Sequence, residues 1–284
     1  MNRLEKTNSG ETEKNSDCGC GNRGSRPGDR ISLARVRQRL DELQDQGDLQ
    51  GAERMLDYWL KEAGLLGDEV GEIEIENEYI GFFRKAGEGK ASLQHAERAL
   101  FLVRQAGLEN SVTEATTQIN SATAYLAFQK PERAWELFCE AKKTYEAQLH
   151  PEDGRLAGLW NNMGLAASEL GKYREAEDLY AHALEIMTVL PGGEGDAAIT
   201  CLNLADAVFA EAEDSGSEEE QIRATERIDS LIEKAWALLQ SPELPRDSYD
   251  RFVCGKCAPV FGYYGYLDYE RRLEERSRRP EEYG

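Results

Sequence analysis

Apolar residues along this chain recur with the spacing of amphipathic helices, and glycine or proline divides the runs into pairs. Ile31, Leu33, Val36, Leu40 and Leu43 form one stripe. Gly47-Asp48 marks a turn, and Ala52, Leu56, Trp59 and Leu60 face back from a second helix. A second pair opens near Asp68. There Glu72, Glu74, Glu76 and Glu78 alternate with Ile73, Ile75, Asn77 and Tyr79, a two-residue period that mimics a strand. Glu is a good helix former and Ile80-Gly81-Phe82-Phe83 continues the run, so the stretch reads as helix. Ala96, Leu100 and Val103 mark its partner. A third pair covers residues 111–150, with Pro131 in the first turn of its second helix, where proline is best tolerated.

The fourth pair carries the clearest pattern. Trp160, Met163 and Gly164 are followed by Gly171, then by Ala176, Tyr180 and Ala183. Trp-x2-apolar-Gly, then Ala-x3-aromatic with Ala three residues on, resembles one unit of the tetratricopeptide repeat (TPR) family. Small residues at Gly164 and Ala176 allow two antiparallel helices to cross tightly, and Trp160, Met163, Leu179, Tyr180 and Leu184 fill the space around the crossing. Ala122, Tyr125, Ala134, Phe138 and Ala141 take the same places in the third pair. Ala134 and Ala176 are 42 residues apart, and Met163 and Leu204 are 41 apart. These spacings resemble the long-helix subclass seen in kinesin light chains. The resemblance implies an all-α fold, a right-handed superhelical solenoid of antiparallel helix pairs.

Three segments are expected. Residues 1–28 hold almost no apolar side chains and should form a disordered tail. Residues 29–240 should form the solenoid, about five helix pairs. Within it, the turn Gly87-Glu88-Gly89-Lys90 looks lengthened relative to the family, and the acidic stretch 213–220 looks like an enlarged turn in the fifth pair. Residues 241–284 depart from the family and read as a divergent helical cap with a charged tail. Pro259 should break or kink its first helix. Its aromatic residues suit a final pair that must cover its neighbour's open core.

Composition narrows the function. The net charge of −20, from 34 Lys and Arg against 54 Asp and Glu, argues against nucleic acid as a partner. No apolar run approaches the roughly 20 residues of a membrane span. The first thirty residues lack the apolar core of a signal peptide, so a cytoplasmic location and reduced cysteines are expected.

Asn120, Asn162 and Asn203 fall at the same place in three successive first helices, 42 and 41 residues apart. A side-chain amide offers a donor and an acceptor on one edge and can bond both groups of an extended peptide's backbone. The resemblance implies such a role, because first helices line the concave groove of a TPR solenoid. The bland alternative is an asparagine bonded to a neighbouring helix within the solenoid. Helical spacing adds Thr116, Ile119, Thr123 and Leu126 to the groove. It also adds Gly158, Asn161, Leu165, Ser168 and Glu169, and then Ile199, Leu202, Asp206 and Phe209. Few are Lys or Arg, so the carboxylate clamp of chaperone-binding TPR domains is not visible. The expected ligand carries apolar side chains and a basic group near Asp206 or Glu169.

Cys18-Gly19-Cys20 and Cys254-Gly255-Lys256-Cys257 could together give four thiolates to one zinc. Against this, Cys254 and Cys257 lie one helical turn apart, where cysteine commonly packs as a small apolar group. His95, His150 and His182 are isolated, and no phosphate loop or metalloprotease motif occurs. The sequence therefore predicts a cofactor-free, non-enzymatic scaffold that holds another protein or an extended peptide in its concave groove. The alternatives are a peptide-responsive TPR sensor and, more weakly, a cysteine-dependent metal or redox assembly factor.

Overall fold

A computed structural model describes residues 30–278. The expected tail at 1–28, with Cys18 and Cys20, lies outside the described residues. Twelve helices and no strand occur among the described residues. They are α1 (Leu33–Asp45), α2 (Leu49–Leu66), α3 (Glu69–Lys85), α4 (Gly89–Gln105), α5 (Val112–Ala127), α6 (Pro131–Gln148), α7 (Gly154–Glu169), α8 (Tyr173–Met187), α9 (Glu194–Ser215), α10 (Glu218–Leu239), α11 (Ser248–Tyr263) and α12 (Leu267–Ser277). Each odd-numbered helix packs on the even-numbered helix after it. Odd-numbered helices also pack on one another: α3 on α5, α5 on α7, α7 on α9 and α9 on α11.

Local chemistry explains the boundaries. Asp48, Asp68, Ser111, Asp153, Ser217 and Asp247 each cap a helix N-terminus with a side-chain oxygen. Asp68 also accepts the Ile31 N–H at 3.0 Å, which ties the chain entering α1 to the start of α3. Gly171 turns α7 into α8 at φ 69°, a conformation glycine adopts without penalty. In the matching turn after α5 the left-handed residue is Gln129, at φ 59°.

The Glu/Ile alternation at 72–79 is helical, as expected, and Ile73, Ile75, Asn77 and Tyr79 are all buried. α3 is packed from several sides, so the usual single stripe is absent. Three expectations are corrected. The turn between α3 and α4 is only Ala86-Gly87-Glu88, as short as the other intra-pair turns. The stretch 213–220 is mostly helix: α9 and α10 each run 22 residues, and only Gly216-Ser217 lies between them. Pro259 sits inside α11 without ending it.

The apolar core falls into blocks. One joins α1, α2 and α3 through Val36, Leu40, Leu56, Ile75 and Phe82. The largest runs from α5 to α12. Between them α3 and α5 bury polar side chains, among which Asn77 meets Thr117, while Glu76 pairs with His95 of α4 and Gln118 with Glu140 of α6. Asn77 Nδ2 donates to Thr117 Oγ1 and to the Ile73 carbonyl, both at 3.0 Å. Breaking the buried Asn77–Thr117 bond would strand both groups, which favours one register of α3 against α5.

Candidate functional site

The inner faces of the odd-numbered helices form a trough of about 540 Å³. Its lining comes from five helices: Asn77, Ile80, Gly81 and Arg84 of α3; Ile119, Asn120 and Thr123 of α5; Asn161, Asn162 and Leu165 of α7; Asp196, Ile199 and Asn203 of α9; and Phe252 and Lys256 of α11. A recess of about 410 Å³ adjoins it, sharing Asn161, Asn162, Asp196 and Ile199, and adding Gly154, Gly158, Met187, Leu190, Gly193 and Thr200.

Six of the eight residues expected to bind peptide meet here: Asn120, Asn161, Asn162, Asn203, Thr123 and Leu165. The asparagines are not equivalent. Asn120 Nδ2 donates to Asn77 Oδ1 at 3.1 Å, and Asn203 Nδ2 donates to Asn161 Oδ1 at 3.0 Å. Thr200 Oγ1 donates to the same Asn161 oxygen at 3.1 Å. Two rungs of the ladder thus tie neighbouring helices together, as the bland alternative had it. Asn162 makes no side-chain hydrogen bond among the described residues and is half-buried at the junction of trough and recess.

The other two expected residues stand apart. Glu169 is exposed at the end of α7 and lines neither cavity. Asp206 accepts the Tyr264 hydroxyl at 2.8 Å, which joins α9 to the residue ending α11. Burial raises the Asp206 pKa, and the tyrosine bond opposes that rise. Leu202 is core, and the Ser168 hydroxyl is buried away from the trough.

The lining that sequence reading missed is informative. Asn77 lies 43 residues before Asn120, close to the ladder's own spacing, and the same arithmetic would have found it. Arg84 and Lys256 could not be found that way. Neither makes an ion pair among the described residues. Burial lowers the Arg84 pKa, the mark of a cation held in a partly dry place with no carboxylate to offset it. Lys256 Nζ lies 5.9 Å from the centre of the exposed Phe252 ring. In a chain of net charge −20, this trough carries two cations without an ion pair, Arg84 and Lys256, and one carboxylate, Asp196, which accepts the Tyr249 hydroxyl.

Cys254 and Cys257 are buried in α11, where burial pushes the Cys254 thiol up to about 12 and Cys257 higher still. Such thiols stay protonated and inert. Among the described residues no group of three or more His, Cys, Asp or Glu side chains could hold a metal. No helix among them is long and apolar enough to cross a membrane.

Residues 155–228 match the tetratricopeptide repeat family. No curated protein matches the chain significantly. Solved structures share its fold. BtubC (BKLC) from P. vanneervenii is 24% identical over 76% of this chain and 84% of its own, with a TM-score of 0.61. Kinesin-light-chain TPR-like repeats from Podosopora anserina are 15% identical over 72% of this chain and 92% of theirs, at a TM-score of 0.52. The apo form of RapI is 17% identical over 87% of this chain and 96% of its own, at 0.53. Residues 155–228 are thus tetratricopeptide repeat, and the described residues fold as an all-helical solenoid similar to those structures.

Proposed function

We propose that the chain is a non-enzymatic scaffold whose trough holds an extended segment of a partner protein, and that this segment is acidic. The observation that carries the reading is the lining itself. Side-chain amides with free bonding capacity lie beside two unpaired cations, Arg84 and Lys256, on opposite walls formed by α3 and α11. Asn162 can offer both a donor and an acceptor to a peptide backbone. Asn120 and Asn203 keep their carbonyl oxygens for its N–H groups. The cations supply the sign of the ligand, which reverses the expected basic group near Asp206 or Glu169. The 42- and 41-residue spacings support a long-helix, kinesin-light-chain-like subclass as our reading.

The test is a peptide display selection on the purified protein, followed by calorimetry. Acidic sequences should be enriched. Lys256→Glu and Arg84→Glu should each weaken the selected peptide about tenfold, with a salt dependence that is lost in the double variant. Arg223→Glu, on α10 outside the trough, should change little. Selection of basic peptides, or equal losses from Arg223→Glu and Lys256→Glu, would overturn the reading.

A further inference from the structure

A cleft of about 400 Å³ lies between the even-numbered helices α6 and α8 and shares no residue with the trough. Both helices pack on α7, and Trp160 of α7 lies between them as the floor. Pro151, Leu179 and Ile186 complete the apolar part. The repeat pattern gives Trp160 a packing role, yet only part of the ring is used that way. It is half-buried against the core, and the rest of it lines the cleft.

The rim is acidic. Glu146 of α6 and Glu175, Asp178 and Glu185 of α8 stand there with one lysine, Lys142, and one histidine, His182. The three on α8 recur at helical spacing and so share the face that borders the cleft. Three of the four carboxylates are engaged: Glu146 with Lys142 at 3.8 Å, Glu175 with Lys172 at 3.5 Å and Glu185 with His182 at 3.6 Å. Asp178 is exposed and makes no hydrogen bond or ion pair among the described residues. It also lines the adjoining cleft between α8 and the α9–α10 pair, where five carboxylates face three arginines. Both flanks of α8 therefore carry excess negative charge, whereas in the trough Arg84 and Lys256 outnumber Asp196.

The Trp160 ring already draws a cation. Lys142 Nζ stands 4.8 Å from its centre, within the range where the negative face of an indole attracts positive charge. That lysine is loosely held, because its 3.8 Å approach to Glu146 is too long for a hydrogen bond. A guanidinium suits the place better. It is planar and less strongly hydrated than an ammonium, so it can lie flat on the ring and still present a fork of N–H groups in its own plane. Asp178, with both carboxylate oxygens unengaged, can accept that fork.

We propose that the cleft between α6 and α8 is a docking site for an arginine-bearing, basic segment of a partner protein. The guanidinium takes the place of Lys142 on Trp160 and pairs with Asp178, while Lys142 moves onto Glu146. The site is separate from the trough, and its charge preference is the opposite one.

The experiment uses fluorescein-labelled nine-residue peptides of serine and alanine with two central arginines or two central lysines, titrated against the full-length protein by anisotropy. The arginine peptide should bind about tenfold more tightly than the lysine peptide, since only a guanidinium both stacks and forks. Asp178→Asn should weaken the arginine peptide about tenfold and leave the fold intact, because the exposed carboxylate has no partner to lose. Trp160→Leu should weaken it as much, with circular dichroism to check the fold. Should that variant not fold, Asp178→Asn and Lys142→Met decide. Lys142→Met should tighten binding about threefold, because the cation competing for the ring is gone. Arg84→Glu, in the trough, should change nothing. Equal binding of the two peptides, or an arginine preference that survives Asp178→Asn, would overturn the proposal, and so would weaker binding to Lys142→Met. A change caused by Arg84→Glu would put the peptide in the trough and overturn it too. If Asp178→Asn instead converts a dimer to a monomer in sedimentation velocity, the face joins two copies of this chain and the proposal falls. Failure of the arginine peptide to bind would sink the cleft and leave the trough reading standing.

Discussion

In α7–α8, Gly164 lies under the Tyr180 ring so closely that a Cβ there would come within 2.5 Å of it. Ala176 and Ala183 are fully buried nearby. In α11–α12 the crossing is held by charge and aromatic area instead. Asp250, 2% exposed, accepts both the Nε and an Nη of Arg276, whose other Nη donates to the Leu239 carbonyl at 2.6 Å. Tyr269 stacks on Trp236 of α10 at 4.0 Å. Tyr249, Tyr264 and Tyr266 donate hydroxyls to Asp196, Asp206 and Asp229. The α7–α8 pair meets helices on both sides and relies on a periodic small-to-large fit. Among the described residues α11–α12 packs against α9 and α10, and specific polar links fix its position there.

The largest test of this contrast is Asp250→Ala. It would leave Arg276, with a side chain only 18% exposed, without its carboxylate. A loss of about 3–5 kcal/mol is expected, as for breaking a buried ion pair. Hydrogen exchange should rise first in α11 and α12, and equal acceleration in α7 and α8 would mean that the two pairs are not independent. Gly164→Val should cost about 1–3 kcal/mol by overpacking against Tyr180, measured by urea denaturation. A midpoint equal to wild type would show that the crossing has slack.

Alkaline pH should separate the pairs without mutation. Burial, then the bond to Asp229, pushes Tyr266 up to about 12; burial and carboxylates raise Tyr249 and Tyr264 as well. A tyrosine whose folded-state pKa is raised contributes stability that is complete below its unfolded value of about 10 and is lost as pH rises through the folded value. The α11–α12 pair should therefore loosen between about pH 10 and 12. Variants retaining Trp236 or Trp160 as the sole tryptophan can report the two regions, and Trp236 fluorescence should change at lower pH.

The smallest effect on folding is expected at Asn162. Asn162→Ala should leave stability within about 0.5 kcal/mol while weakening peptide binding by about 1–2 kcal/mol. Asn203→Ala removes the bond to Asn161 and should cost about 1 kcal/mol of stability itself. If calorimetry and melting give both variants the same profile, the rungs are equivalent after all.

Much of the fold is legible because it is local. Capping residues, the left-handed Gly171 and the small residues at Gly164 and Ala176 each act within one helix pair and recur with the repeat. Legibility stops where the period stops. The acidic run at 213–220 looked like a turn because its charge is high, yet glutamates in the first turn of α10 suit the helix dipole. Asp206 looked like a groove carboxylate because helical spacing aims it inward; nothing in that spacing could indicate that Tyr264, 58 residues later, would take it.

The sequence by itself determined the helices, their pairing and the asparagines' common face, since each depends on contacts within about one repeat. Tertiary structure alone decided which asparagine stays free, and it brought together two cations 172 residues apart, Arg84 and Lys256. The physical reason is that the trough is a property of stacking. Its walls belong to five helices, and small rotations between successive pairs set what faces across it. The last wall comes from α11, and the α11–α12 pair is fixed on α9 and α10 by tyrosine hydroxyls and the Arg276 bond to the Leu239 carbonyl, not by the repeat.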